Sequence, residues 1–332
     1  MKRGLLPLCI KLPLLASFGV VLLAALPWRA AAHEDDVSPR PLTTLVRQSA
    51  VVVLAQCISN SAGLDGLHLL TLKPVEVLKS ARPLTNFQLS IFARHEFYPR
   101  LLHSRPALLF LTEESPGQFD LLYVLDQDAG AIDLQPVTRA ASRLVTLGRA
   151  KTDVQARELK GFALENLAAP DGSILKQTAA VELLNWAKVH PGTTNVSEAE
   201  LDLISKTALN AHDPKIACPL SLALLALNAP SADEACLHAI LDTDAASASE
   251  HELASVVNRR PLLRQKLSEQ ARRETDPTKL DRLIEHLSRV LDAGTRRDLR
   301  EIWDANPGAR KTILSYTNRL SAEDWRTFEA QR

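Results

Sequence analysis

The densest concentration of reactive side chains in this 332-residue chain is the run Arg94-His95-Glu96-Phe97-Tyr98-Pro99-Arg100-Leu101-Leu102-His103-Ser104-Arg105. Its guanidinium groups offer forked donors for a carboxylate or phosphate, and its aromatic rings offer faces for stacking. Arg94, His95, Glu96, Tyr98, Arg100, His103 and Arg105 are therefore candidate ligand- or partner-binding residues. His95, Glu96 and His103, joined by the upstream His68, could alternatively hold a metal or exchange protons. A plainer use competes with both: Phe97, Leu101 and Leu102 plug the end of a fold while the charges stay in water.

A second candidate is a basic surface late in the chain. Residues 148–255 carry 8 basic and 15 acidic side chains, whereas residues 256–332 carry 17 basic and 12 acidic. The pairs Arg259-Arg260, Arg272-Arg273 and Arg296-Arg297 could meet anionic lipid, a cell-wall polymer or an acidic partner. The same arginines, with Glu and Asp at helical spacing, could equally form solvated surface pairs.

Other chemistry is sparse. The chain has no Gly-rich phosphate loop, dinucleotide fingerprint, Gly-x-Ser-x-Gly elbow or paired-His zinc helix, and only 12 glycines in all. His251-Glu252 begins a zinc motif that lacks its second His. Cleavage after Ala32 would place the amine and imidazole of His33 beside Glu34, Asp35 and Asp36, a possible copper(II) chelate or simply a polar terminus. Trp186, Trp303 and Trp325 read as core anchors. No catalytic residue, resident metal or cofactor is expected.

The elements that must position these residues fall into two halves. Met1-Lys2-Arg3, the apolar run 12–26 and Ala30-Ala31-Ala32 have the order of a secretory signal peptide ending at residue 32. Its loss leaves 35 basic and 39 acidic residues and no integral membrane segment, in a periplasmic or secreted protein. Neither charge nor compartment favours nucleic acid. Cys57, Cys218 and Cys236 remain; an oxidising compartment permits one bridge, for which Cys218–Cys236 is the candidate pair, but their axial offset across the turn favours buried thiols acting as small apolar groups.

After a mature N-terminal segment, 33–44, residues 45–137 alternate in short β-branched runs. Strands are expected at 50–58, 67–78 with an interruption at Pro74, 87–92, 107–111, 119–124 and 131–134. The first is apolar throughout, hence buried on both faces, and the Pro74 break implies an edge or a bulge. Six short strands suggest a small closed or nearly closed barrel. A helical or irregular joint, 138–151, follows. Helices are then expected at 152–168, 174–189, 197–211, 214–228, 231–243, 249–258, 260–273, 276–291, 294–304, 308–319 and 321–330. Their start signals are Ser197 with Glu200, Ser231 with Glu234, Ser247 with Glu250, and Asp213-Pro214, Asp276-Pro277 and Asn306-Pro307. The fold class is thus α+β multidomain: a small N-terminal barrel followed by an all-α, solenoid-like region, 152–332.

The buried first strand, the strand ending Val75-Glu76-Val77-Leu78-Lys79 and the run Ala107-Leu108-Leu109-Phe110-Leu111 resemble the netrin-like, OB-type barrel. That module occurs in tissue inhibitors of metalloproteinases and in many bacterial secreted proteins, and the helices after it resemble HEAT-like repeats. The inhibitors chelate a protease metal through an N-terminal Cys. This chain offers His33 there, so the barrel is implied and the inhibitory chemistry is not. Three functions are consistent with these features: a non-catalytic protein-binding scaffold of the cell envelope, a regulator of a secreted hydrolase, or a metal-dependent enzyme.

Overall fold

The computed structural model of the protein describes residues 40–102, 105–126, 133–150, 152–241, 253, 255–256, 260–288 and 293–317. The signal-peptide expectation, His33, the Ser247–Glu250 cap, His251-Glu252, Trp325 and the last expected helix lie outside them.

The early strands form one antiparallel sheet of five, β1 (Val51–Ala62), β2 (Leu67–Lys79), β3 (Phe87–Phe92), β4 (Ala107–Ser115) and β5 (Gln118–Leu125), in the order β3-β2-β1-β4-β5. This corrects the closed barrel. The sheet curls until the rings of Phe87 and Phe119 meet edge-on at 5.5 Å, but no hydrogen-bonded ladder joins β3 to β5. Val51, Val52 and Val53 are all buried, as expected for a strand covered on both faces. Pro74 sits at a register shift opposite Ala55, beyond the end of β3 pairing, so its missing N–H interrupts no ladder there.

The described end of the sixth strand expected at 131–134 is helical instead. Residues 131 and 132 are outside the described set, and Leu134 opens a helix because Asp133 caps it, accepting from the Gln135 amide at 3.0 Å. Leu134, Val137, Ala141, Leu144 and Val145 then make a helical apolar stripe. A short helix also precedes β1. Leu42, Leu45 and Val46 of α1 (Leu42–Gln48) are buried, and α1 and α3 (Leu134–Leu147) lie on the sheet. Between β3 and β4 runs the single-turn helix α2 (Phe97–Leu101).

The rest is helical: α4 (Thr152–Asn166), α5 (Ile174–Val189), α6 (Glu198–Asn210), α7 (Pro214–Ala226), α8 (Ala232–Leu241), α9 (Pro261–Arg273), α10 (Pro277–Ser288), α11 (Ala293–Ala305) and α12 (Ala309–Thr317). Helix α7 is buried from Ile216 through Leu225 because it is apolar on every side, and α5, α6 and α8 pack around it. Ser197 and Glu200 form the expected capping box. Asp213 and Asp276 accept from amides of the turns they open. Asn306 does more than expected: its Oδ1 accepts from Gly308, while its Nδ2 donates to Ala271 O at 2.9 Å and Glu274 O at 2.8 Å, closing the end of α9.

Cys218 and Cys236 are free thiols, so the candidate bridge does not form and the favoured buried-thiol reading stands. They lie on adjacent helices, wholly buried among apolar neighbours. Burial, reinforced by Asp233, pushes the Cys236 thiol far up, so the thiolate needed for exchange is suppressed and the sulfur behaves as a small apolar group.

Two buried contacts join α1 to the helical stack. Thr178 Oγ1 accepts from the Leu42 amide at 2.7 Å, satisfying an otherwise orphan donor at the start of α1. Thr43 Oγ1 donates to Glu182 Oε1 at 2.5 Å, and Glu182 is only 5% exposed. Thr43→Val should therefore cost about 1.5–3 kcal/mol, the range for hydrogen bonds to charged groups. Adding Glu182→Leu should restore part of that loss in urea denaturation. A Thr43→Val change within about 0.5 kcal/mol of the parent would show that the carboxylate finds another donor.

Candidate functional site

The 94–105 run is positioned by the end of the β1–β2 hairpin. That hairpin turns at residues 63–66, where Gly63 approaches its partner so closely that a Cβ would stand 2.9 Å from Leu67 O. Gly66 has φ +76°, and its carbonyl accepts from the Ala93 amide at 2.9 Å, which fastens the end of β3 to the turn.

From there α2 buries one side and exposes the other. Phe97 and Leu101 are 5% and 3% exposed, whereas Leu102 is 41% exposed, so two of the three expected plug residues are interior. Phe97 is the hub. It meets Tyr123 edge-on at 5.3 Å, carries the His95 ring at 5.2 Å and has the Arg100 guanidinium 5.4 Å from its centroid. Burial pushes the Tyr123 phenol up, with Arg100 opposing it. Arg94 lies over Phe92 at 5.4 Å. Arg94, His95, Glu96 and Arg105 are exposed and Arg100 is half-buried; His103 lies outside the described residues.

Tyr98 points back to the hairpin. Asn60 Nδ2 donates to Tyr98 Oη at 2.9 Å, His68 Nδ1 stands 2.9 Å from both Asn60 Oδ1 and Tyr98 Oη, and the His68 and Tyr98 rings are 4.6 Å apart. The cluster is satisfied when Nδ1 carries the proton and donates to Asn60 Oδ1, with Nε2 then bearing the lone pair. His68 thus pairs with Tyr98 and Asn60, not with His95 or Glu96. Among the described residues no set of three or more His, Cys, Asp or Glu is grouped to hold a metal. Asn60 was missed in the sequence. The glycines at 63 and 66 mark the turn that brings it near His68, but only the register, with Asn60 opposite Leu70 and His68 opposite Ala62, places them side by side.

The strand pairing adds a further feature here. β4 pairs with β1 only from Val51 to Ala55, and among the described residues no strand flanks that edge of β1 beyond Ala55. Ile58, on this overhang, is 49% exposed.

The late basic surface is laced with acids. Arg260 stands 3.6 Å and Lys266 3.7 Å from Asp233. Arg272 pairs with Glu301 and reaches Ser268 Oγ at 3.2 Å. Arg264 Nε meets Asp298 at 3.0 Å, yet burial pushes the Asp298 carboxyl above its ordinary range. Arg273 and Arg297 are exposed, Arg296 is half-buried, and Arg259 lies outside the described residues.

Comparison with protein-family models, with curated proteins and with solved structures finds no match to this chain.

The division of α2 into a buried hub and a polar tie has measurable consequences. Phe97→Ala should cost about 3–5 kcal/mol, as for other buried aromatics. Tyr98→Phe should cost only ~1 kcal/mol, since it removes hydrogen bonds at a half-exposed site. Chemical denaturation of both variants reads this, and equal losses would overturn the division.

Proposed function

We propose that this is a non-catalytic, extracytoplasmic protein-binding protein whose partner docks at the hairpin end of the sheet. The observation that carries the proposal is the joint exposure, on one tied structure, of the β1 overhang and the 94–102 turn. Tyr98 and Asn60 hold the two together. An extended partner segment can add backbone hydrogen bonds along a strand edge that no described strand flanks. Arg94 and Arg100, held over ring faces, keep their guanidinium groups oriented for carboxylates beside that edge. Ile58 and Leu102 supply exposed apolar surface for alternate side chains of the same segment.

The secretory order of the N-terminus supports an envelope or external setting, and no helix among the described residues is long and apolar enough to cross a membrane. The netrin-like likeness and the solenoid-like reading of the helices fit the same role, with a curled sheet presenting its end and stacked helices carrying it.

The test is affinity capture from the organism's own envelope fraction with the tagged mature protein, run beside an Arg94→Ala, Arg100→Ala, Arg105→Ala triple variant. A discrete partner should be retained by the parent and lost by the variant, whose stability should stay within about 1 kcal/mol. Equal retention by both, or unfolding of the variant, would overturn the assignment.

A further inference from the structure

Where the sheet meets the helices, the last turn of α1, the end of β2, the end of α3 and the flank of α4 enclose a cavity of about 250 Å³. Among the described residues its walls carry Arg47, Lys79 and Arg149 and no carboxylate, over an apolar floor that includes Val46, Leu144 and Leu159. That composition is unusual in this molecule. Arg143, Lys160, Lys176 and Arg264 each stand against a carboxylate. Among the described residues, Arg47, Lys79 and Arg149 have none.

Lys79 is fixed in place. Its ammonium donates to Val46 O at 2.8 Å and Ser49 O at 2.5 Å, complementing the carbonyl end of α1. Two of its three hydrogens are used in this way, leaving one donor. Burial, and then the neighbouring positive charge of Arg149, pull the Lys79 amine below its ordinary range. Two like charges therefore face one another across a partly enclosed space, with only one helix end to offset Lys79. An anion between them would relieve both the desolvation and the repulsion.

We infer that this cavity is a binding site for a small organic anion, with a carboxylate head held between Lys79 and Arg149 and a short apolar body laid on Val46, Leu144 and Leu159. At ~30 Å³ for each water-sized group, the volume accommodates about eight non-hydrogen atoms. A carboxylate of roughly six carbons meets that limit. The site is independent of the surface proposed for the protein partner. Because its walls come from the sheet, α1, α3 and α4 together, an occupant would brace the junction of the two halves.

Isothermal calorimetry on the intact protein with hexanoate, its uncharged isostere hexanamide and inorganic phosphate tests the head and the body separately. Hexanoate should bind saturably and at least about tenfold more tightly than either comparison ligand. Arg149→Gln, at an exposed position that leaves the fold intact, should weaken hexanoate about fivefold or more and leave hexanamide unchanged. Leu159→Trp, which fills the cavity, should weaken hexanoate whatever the state of the charges. Equal affinity for hexanoate and hexanamide, phosphate matching hexanoate, indifference to Arg149→Gln, or no saturable hexanoate binding at millimolar concentration would each overturn the inference.

Discussion

Burial of β1 on both faces is the constraint from which the rest of the structure follows. Val51, Val52 and Val53 point alternately to opposite sides and are all within 2% of complete burial, so neither face of the sheet's centre can be left to water. The sheet curls on itself far enough for Phe87 to reach Phe119. α1 and α3 bring Leu42, Leu45, Val137 and Ala141 as further cover. Because α1 must sit on the sheet, its first amide and Thr43 meet Thr178 and Glu182 of α5, and the sheet becomes continuous with the helical stack.

The features with functional potential arise where regular pairing runs out. β4 stops beside Ala55, so among the described strands the distal part of β1 is paired by β2, with the Asn60–His68–Tyr98 cluster at its tip. Side-chain hydrogen bonds there do work that a backbone ladder does elsewhere, and they leave an exposed edge next to oriented arginines. At the other end of β2, Lys79 substitutes for further strand pairing by closing the carbonyl end of α1, and this sets a cation at the mouth of the junction cavity.

The helical half was largely legible in the sequence because its signals are local. Asp213 and Asp276 beside prolines, and Ser197 with Glu200, announce helix starts through bonds spanning only two or three residues. The sheet was legible strand by strand but not as a closed or open object. Closure depends on whether β3 and β5 hydrogen-bond, and those strands are separated by the whole 93–117 segment. Ile132-Asp133-Leu134 shows the limits of short alternation: Asp133 reads as an outward strand residue until its role as a cap is seen. The 94–105 run was recognisable by composition alone, yet its division into the buried Phe97 and the exposed Leu102 comes from packing against Tyr123.

By itself the sequence determined the class of most segments, the caps at Ser197, Asp213 and Asp276, the interruption of β2 at Pro74 and the concentration of arginines and rings after β3. These rest on interactions between residues close in the chain, whose energies do not depend on what lies beyond them. Tertiary structure alone decided that the sheet stays open, that Asn60 joins His68, and that three cations share one cavity in which no described residue is an acid. Each of these depends on which distant surfaces are brought within a few ångströms, and burial of β1 rather than any local signal selects that arrangement.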